Sequence, residues 1–154
     1  MTNPLKVNSM LGKMNDNQIV NVLQSQIIGR LATYADEKLY LVPITYAYKD
    51  GYIYCHSKNG MKVEMMNKNP KVCFEVDQIE NMNSWRSVIL WGEYEKLESD
   101  EAKKEAMQIL SDRLEPVSTG ETVVPYIRQD VPSTFRIKIT EQTGRFEKAQ
   151  QVSY

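Results

Sequence analysis

Residues 27–56 read IIGRLATYADEKLYLVPITYAYKDGYIYCH, and this stretch decides the fold class. Ile27 to Tyr34 is apolar and rich in strand-forming residues, Ala35 to Lys38 is a polar turn, and Leu39 to Tyr48 is a second long run. Asp50-Gly51 separates that run from Tyr52–His56. An Asp-Gly pair between two such runs is a strong hairpin signal, because both residues tolerate the left-handed backbone that a tight turn needs. The three runs together predict an antiparallel meander.

Working outward, Asp16 is expected to cap a short helix, since Ile19, Val20 and Leu23 recur at helical spacing up to about Gln26. Residues 1–14 are polar with scattered Met and Leu and predict a loose arm. On the other side, residues 60–69 predict a short helix with Asn59 as its cap, stopped by Pro70. Lys71 to Val76 alternates as a strand, and Asp77 to Asn83 predicts a polar loop. Ser84 to Leu97 contains a long strand with both tryptophans. Ser99 caps an amphipathic helix whose stripe is Ala102, Ala106, Ile109 and Leu110. Residues 115–133 are irregular, and Phe135–Thr140 is a last strand that Gly144–Lys148 extends past a bend. The expected fold is mainly β: an antiparallel, partly open barrel of about six strands with flanking helices. Repeated βαβ units, and hence a doubly wound sheet, fit this order poorly.

The chain has 154 residues, which predicts a single domain over 1–154. Its net charge of −1 gives no electrostatic reason to expect nucleic acid or an acidic membrane. No apolar run approaches the ~20 residues that span a bilayer, and Met1–Met14 lacks the layout of a signal peptide, so a cytoplasmic protein is expected. Cys55 and Cys73 lie within strand-like runs and read as buried thiols. With no Cys-x-x-Cys and a single histidine, no metal site is expected.

Three short pieces carry chemistry. In Val42-Pro43-Ile44-Thr45-Tyr46, alternation puts Pro43, Thr45 and Ala47 on one face and Ile44, Tyr46 and Tyr48 on the other. A proline removes a backbone donor, so this is either an edge strand with aromatic packing or a place where a ligand replaces the neighbouring strand. In His56-Ser57-Lys58-Asn59-Gly60-Met61-Lys62, a strand end meets a helix start, gathering imidazole, hydroxyl and ammonium groups at free helix N–H groups. That suits a phosphate, or is a solvated basic turn. In Trp85-Arg86-Ser87-Val88, Arg86 either reaches a phosphate or pairs with a carboxylate at the surface.

The ordered set Gly29-Arg30-Leu31-Ala32-Thr33, Val42-Pro43-x-x-Tyr46, His56-Ser57-x-x-Gly60-x-Lys62, Asn69-Pro70-x-Val72-Cys73-Phe74-Glu75-Val76-Asp77 and Arg86-Ser87-Val88 resembles the pyridoxamine 5′-phosphate oxidase-related FMN-binding split barrels. Within them it is most similar to the branch of the 5-nitroimidazole-resistance proteins, and the likeness runs from about Gln26 to Arg145. The resemblance implies a homodimer with FMN lying in its interface. Pro43, Thr45 and Tyr46 would flank the isoalloxazine ring, with His56, Ser57 and Lys62 at the phosphate end. Arg86 and Ser87 would bind from the neighbouring strand, and Arg30 belongs to the same cofactor set. An arginine-rich C-terminal signature for a pyridoxal substrate is absent. The implied activity is that of a flavin-dependent oxidoreductase acting on a small acceptor such as a nitro compound or a quinone. The catalytic residues stay open: His56, the only histidine, is the natural proton donor if one is required, with a phosphate-binding or structural role weighed above that. The competing class is a non-catalytic carrier or sensor of flavin or haem, with His56 as a haem ligand.

Overall fold

The computed structural model describes residues 9–114 and 133–150. Among them are eight strands and three helices: β1 (Ser9–Lys13), α1 (Asp16–Ser25), β2 (Ile28–Ala35), β3 (Lys38–Thr45), β4 (Ala47–Lys49), β5 (Tyr52–Ser57), α2 (Met61–Lys68), β6 (Lys71–Asn81), β7 (Ser84–Lys96), α3 (Asp100–Leu114) and β8 (Ser133–Ala149). One antiparallel sheet holds all the strands in the order β3-β2-β6-β7-β8-β5-β4, with β1 added to β8. Only Tyr46 separates β3 from β4, yet these two strands lie at opposite ends of the order. The sheet must therefore curl until its ends meet at Tyr46, and the seam between them is joined by covalent chain instead of ladder hydrogen bonds. That is the split-barrel form of an antiparallel β fold.

Alternation along the strands sorts side chains into the barrel or onto its outer face. Leu31, Phe74, Leu90 and Phe135 point in and are completely buried, together with Val22 and Leu23 of α1 and Met66 of α2. Tyr46 joins this core: its ring meets Phe74 edge-on at 5.3 Å between centroids, and its hydroxyl donates to the Leu23 carbonyl at 2.7 Å. A second cluster lies under α3, where Ala47, Tyr54, Leu97, Ala106 and Leu110 pack together.

Several expectations need correction. The strands number eight, not six. The arm is not loose from Ser9 onward, because Ser9–Lys13 pairs with Lys148 and its neighbours on β8. Residues 77–81 are strand, not loop: β6 continues its ladder with β7 through Asp77↔Ser87 and Gln78↔Arg86. Alternation breaks at Tyr46, so Ala47 turns inward beneath α3 and leaves the face of Pro43 and Thr45. Residues 115–132 lie outside the described residues.

Helix ends follow from side-chain chemistry. Asn15, not Asp16, caps α1: its side chain accepts from the Gln18 N–H at 2.9 Å, and the Gln18 side chain accepts from the Asn15 N–H at 2.9 Å. This reciprocal box satisfies two donors that the helix cannot. Asn15→Ala is expected to lower the unfolding free energy by about 1 kcal/mol in urea titrations, with no change in flavin uptake. Ser99 caps α3 as expected, accepting from the Ala102 N–H at 3.1 Å.

Candidate functional site

α2 starts differently from the other two helices. Its cap is Gly60, in extended backbone and without a side-chain bond to the first turn. Asn59, expected to cap it, is committed elsewhere: its side-chain oxygen accepts from the Ser133 hydroxyl at the start of β8. Among the described residues no side chain caps the first-turn N–H groups of α2, and the helix dipole adds partial positive charge there. Lys62 stands in that first turn, and its charge reaches back far enough to oppose the rise that burial imposes on the Cys55 thiol.

His56 lies opposite Thr134 near the end of β5. Its Nδ1 is buried and has no hydrogen-bond partner among the described residues. Burial holds the imidazole below its ordinary pKa, so it is neutral at pH 7. The positive charge at this end therefore comes from Lys62 and the helix, while His56 offers a hydrogen bond. The Ser57 hydroxyl donates to the Lys58 carbonyl at 3.0 Å and shapes the turn.

Pro43 and Thr45 sit on the free edge strand β3. With Ile28 and Ile44 they line a shallow, open groove of about 320 Å³. Edge position, absent proline donor and apolar wall together suit the flat face of a ring system. Ile28 is the member of this wall that the sequence did not single out; its register opposite Thr45 puts it there. Tyr46 is the clear departure. Its side chain is wholly buried and bonded to α1, so it supports the groove from below.

The two arginines and Ser87 separate. Arg30 lies opposite Pro43 on one side and Glu75 on the other. Its guanidinium contacts the Asp77 carboxylate at 3.5 Å, and Ser87 pairs across from Asp77 on the same outer face. Arg86 turns the other way, donates to the Gln78 side chain, and lines a separate cleft of about 560 Å³ with Met10, Gln18 and Trp85. That cleft is larger than the groove but lies at the β1–α1 end, away from the α2 N-terminus. Within one chain, then, the sequence-predicted residues do not converge on one pocket. Trp91 is on the outer face, 39% exposed. Among the described residues no cluster of His, Cys, Asp or Glu could hold a metal, and no helix is long and apolar enough to cross a membrane.

Known proteins share this architecture. A FAD-binding protein from Mesorhizobium loti is 29% identical, with a TM-score of 0.73 over 92% of this chain and 99% of that one. A candidate 5-nitroimidazole antibiotic resistance protein from Bacteroides thetaiotaomicron has a TM-score of 0.71 at 18% identity, over 94% of this chain and 93% of that one. A haem-binding protein from Mycobacterium smegmatis has a TM-score of 0.65 at 17% identity, over 81% of this chain and 51% of that one. An uncharacterized protein of Rhizobium meliloti (strain 1021) is 34% identical over 84 residues, which is 54% of this chain and 56% of that relative. The chain thus spans just over half the length of the curated relative it matches. The family model for pyridoxamine 5′-phosphate oxidase matches residues 15–146, from the cap of α1 to the ring of Phe146 on β8. A rolled antiparallel sheet split at Tyr46, together with that match, makes this chain a member of the pyridoxamine 5′-phosphate oxidase family.

Proposed function

We propose that this chain binds FMN between two copies of itself and works as a flavin-dependent oxidoreductase toward a small acceptor such as a nitro compound or a quinone. The observation that carries the reading is the start of α2: a helix end without a side-chain cap, Lys62 in its first turn, and, just before it, the Nδ1 of His56, the helix end and the Nδ1 both without a side-chain partner among the described residues. Those groups suit a phosphate, and the groove of Ile28, Pro43 and Thr45 suits the ring. A second copy is part of the reading because Ser87 and Arg86 do not reach that groove within one chain. The outer face supports it further, with Leu39 77% and Leu41 66% exposed beside Ile28, Pro43 and Trp91. Contiguous apolar surface of this kind marks an interaction site.

FMN would supply the electron transfer. The chain's own part is to hold and orient. Lys62 and the α2 N–H groups fix the phosphate, and the β3 edge positions the ring. Tyr46 props that edge from inside, and His56, neutral at pH 7, hydrogen-bonds without adding charge.

The test is spectroscopic. Purified protein titrated with FMN should acquire a bound-flavin spectrum, and no uptake would sink the proposal. Lys62→Ala should weaken FMN about 10- to 100-fold, the worth of a charge-assisted bond, and riboflavin less than about twofold. Equal losses for both would remove Lys62 from the phosphate. NAD(P)H-driven turnover with an acceptor then separates an enzyme from a carrier. A haem-binding reading has one observation in its favour, the neutral, unpartnered His56, and a Soret band lost in His56→Ala would select it.

A further inference from the structure

The cleft that holds Arg86 lies between α1 and the ends of β1, β6, β7 and β8. One cross-strand row runs through it: Gln78 on β6, Arg86 on β7, Phe146 on β8 and Gly12 on β1. Val76 and Val88, two positions along their strands from Gln78 and Arg86, are completely buried. Alternation therefore puts the row on the interior face, and the cleft is a mouth of the barrel. The Phe146 ring lies over Gly12, where a Cβ would stand 2.4 Å from it. Phe146 packs against the main core and Met14 is part of it, so the cleft has an apolar floor, with Met10 at its open side.

The polar wall is biased toward donors. Arg86 donates to the Gln78 side chain, and an arginine can only donate, so the Gln78 oxygen is taken and its NH2 group remains. The Gln18 oxygen accepts from the Asn15 N–H at 2.9 Å, which leaves its NH2 group in the same way. Lys148, opposite Met10, adds an ammonium. Two carboxylates also border the cleft. Glu80 accepts from the Ser84 hydroxyl at 3.1 Å. Glu147 accepts from the Ser9 hydroxyl at 2.6 Å and the Trp85 indole at 2.9 Å. Among the described residues, no ion pair joins either of them to Arg86 or Lys148. Arg86 thus stands beside an apolar floor with a neutral amide as its partner.

We propose that this barrel mouth binds a small monocarboxylic acid with an apolar body, its carboxylate on Arg86 and its body over Phe146, Met14 and Met10. A volume of about 560 Å³ lies within the range of roughly 300–1,000 Å³ for small-ligand pockets. A carboxylate matches the guanidinium because it accepts from two of its N–H groups at once. Glu80 on the same wall opposes a second negative charge, so a monocarboxylate is the class. The site is separate from the groove at the β3 edge, and the inference does not rest on the flavin reading.

Calorimetry on the full-length chain, with and without added FMN, tests this with cinnamate and its uncharged counterpart cinnamyl alcohol. Cinnamate should saturate one site per chain with a dissociation constant below about 1 mM, and the alcohol should bind at least about tenfold more weakly. Arg86→Met should weaken cinnamate at least about tenfold and the alcohol less than about twofold. Gln78→Glu should do the same, because it places a carboxylate on Arg86; it carries the test if Arg86→Met does not fold. FMN should leave the cinnamate affinity within about twofold. No saturation by cinnamate overturns the proposal, as does equal affinity for acid and alcohol. A folded variant of either kind with wild-type affinity for cinnamate also overturns it. Displacement of cinnamate by FMN would place the acid in the flavin groove and overturn it too.

Discussion

Tyr46→Ala is expected to lower the unfolding free energy by about 3–5 kcal/mol, the range for truncating a buried aromatic. Tyr46 is fully buried, its ring packs edge-on against Phe74, and it occupies the one residue that joins the two ends of the sheet. Its N–H donates to the Ile27 carbonyl at 3.0 Å, so the junction is also tied to the start of β2. Tyr46→Phe isolates the hydroxyl. It keeps the ring but leaves the Leu23 carbonyl without this donor, at a cost of about 1–3 kcal/mol. Urea unfolding followed by far-UV circular dichroism separates the two. If Tyr46→Phe instead left stability unchanged and weakened FMN tenfold, Tyr46 would return to the cofactor-contacting set.

Gly92→Ala is expected to cost about 3 kcal/mol, at the upper end for inserting one methyl into a packed core. Gly92 sits where the β7–β8 register slips, with Trp91 opposite Glu141 but Gly92 opposite Ile139. The bulge brings the two backbones together. A Cβ on Gly92 would stand 2.5 Å from the Lys138 carbonyl oxygen and 2.6 Å from an Ile137 methyl. A flexible side chain can move aside, but a carbonyl held in a central ladder cannot do so without breaking the pairing. A loss of less than about 1 kcal/mol would show that β8 yields at the bulge. Gly60 is the contrast: a Cβ there meets nothing nearer than the Lys58 carbonyl at 4.0 Å, so tight packing is not what places glycine at the start of α2.

The sequence made the meander legible because its signals are local. Asp50 and Gly51 both adopt positive φ, 47° and 83°, as an Asp-Gly hairpin predicts. Ile44 in and Pro43 out follow from alternation alone. The misses are non-local. SMLGK, residues 9–13, has no strand pattern of its own and becomes β1 only because the far end of β8 offers an edge. DQIEN, residues 77–81, is polar, yet it stays in the ladder because β7 continues beside it. For the candidate site, Lys62 and His56 were legible as a basic turn at a helix start. That Arg86 and Ser87 face opposite sides of their strand follows from alternation; the Gln78 side chain that takes Arg86 comes from β6 and appears only after folding.

β8 joins β1, β5 and β7, and it lies downstream of all three. A chain made from its N-terminus can assemble β3-β2-β6-β7 and the β4–β5 hairpin early, but these two pieces have no ladder between them until β8 arrives. Such long-range closure gives a high contact order and slow folding. Until then β7 presents an unpaired edge 13 residues long, which is a template for pairing with other nascent chains. The burden of this topology falls on the ribosome and its chaperones: the barrel completes after synthesis has passed β8, and the time before that is when the chain is most exposed to aggregation.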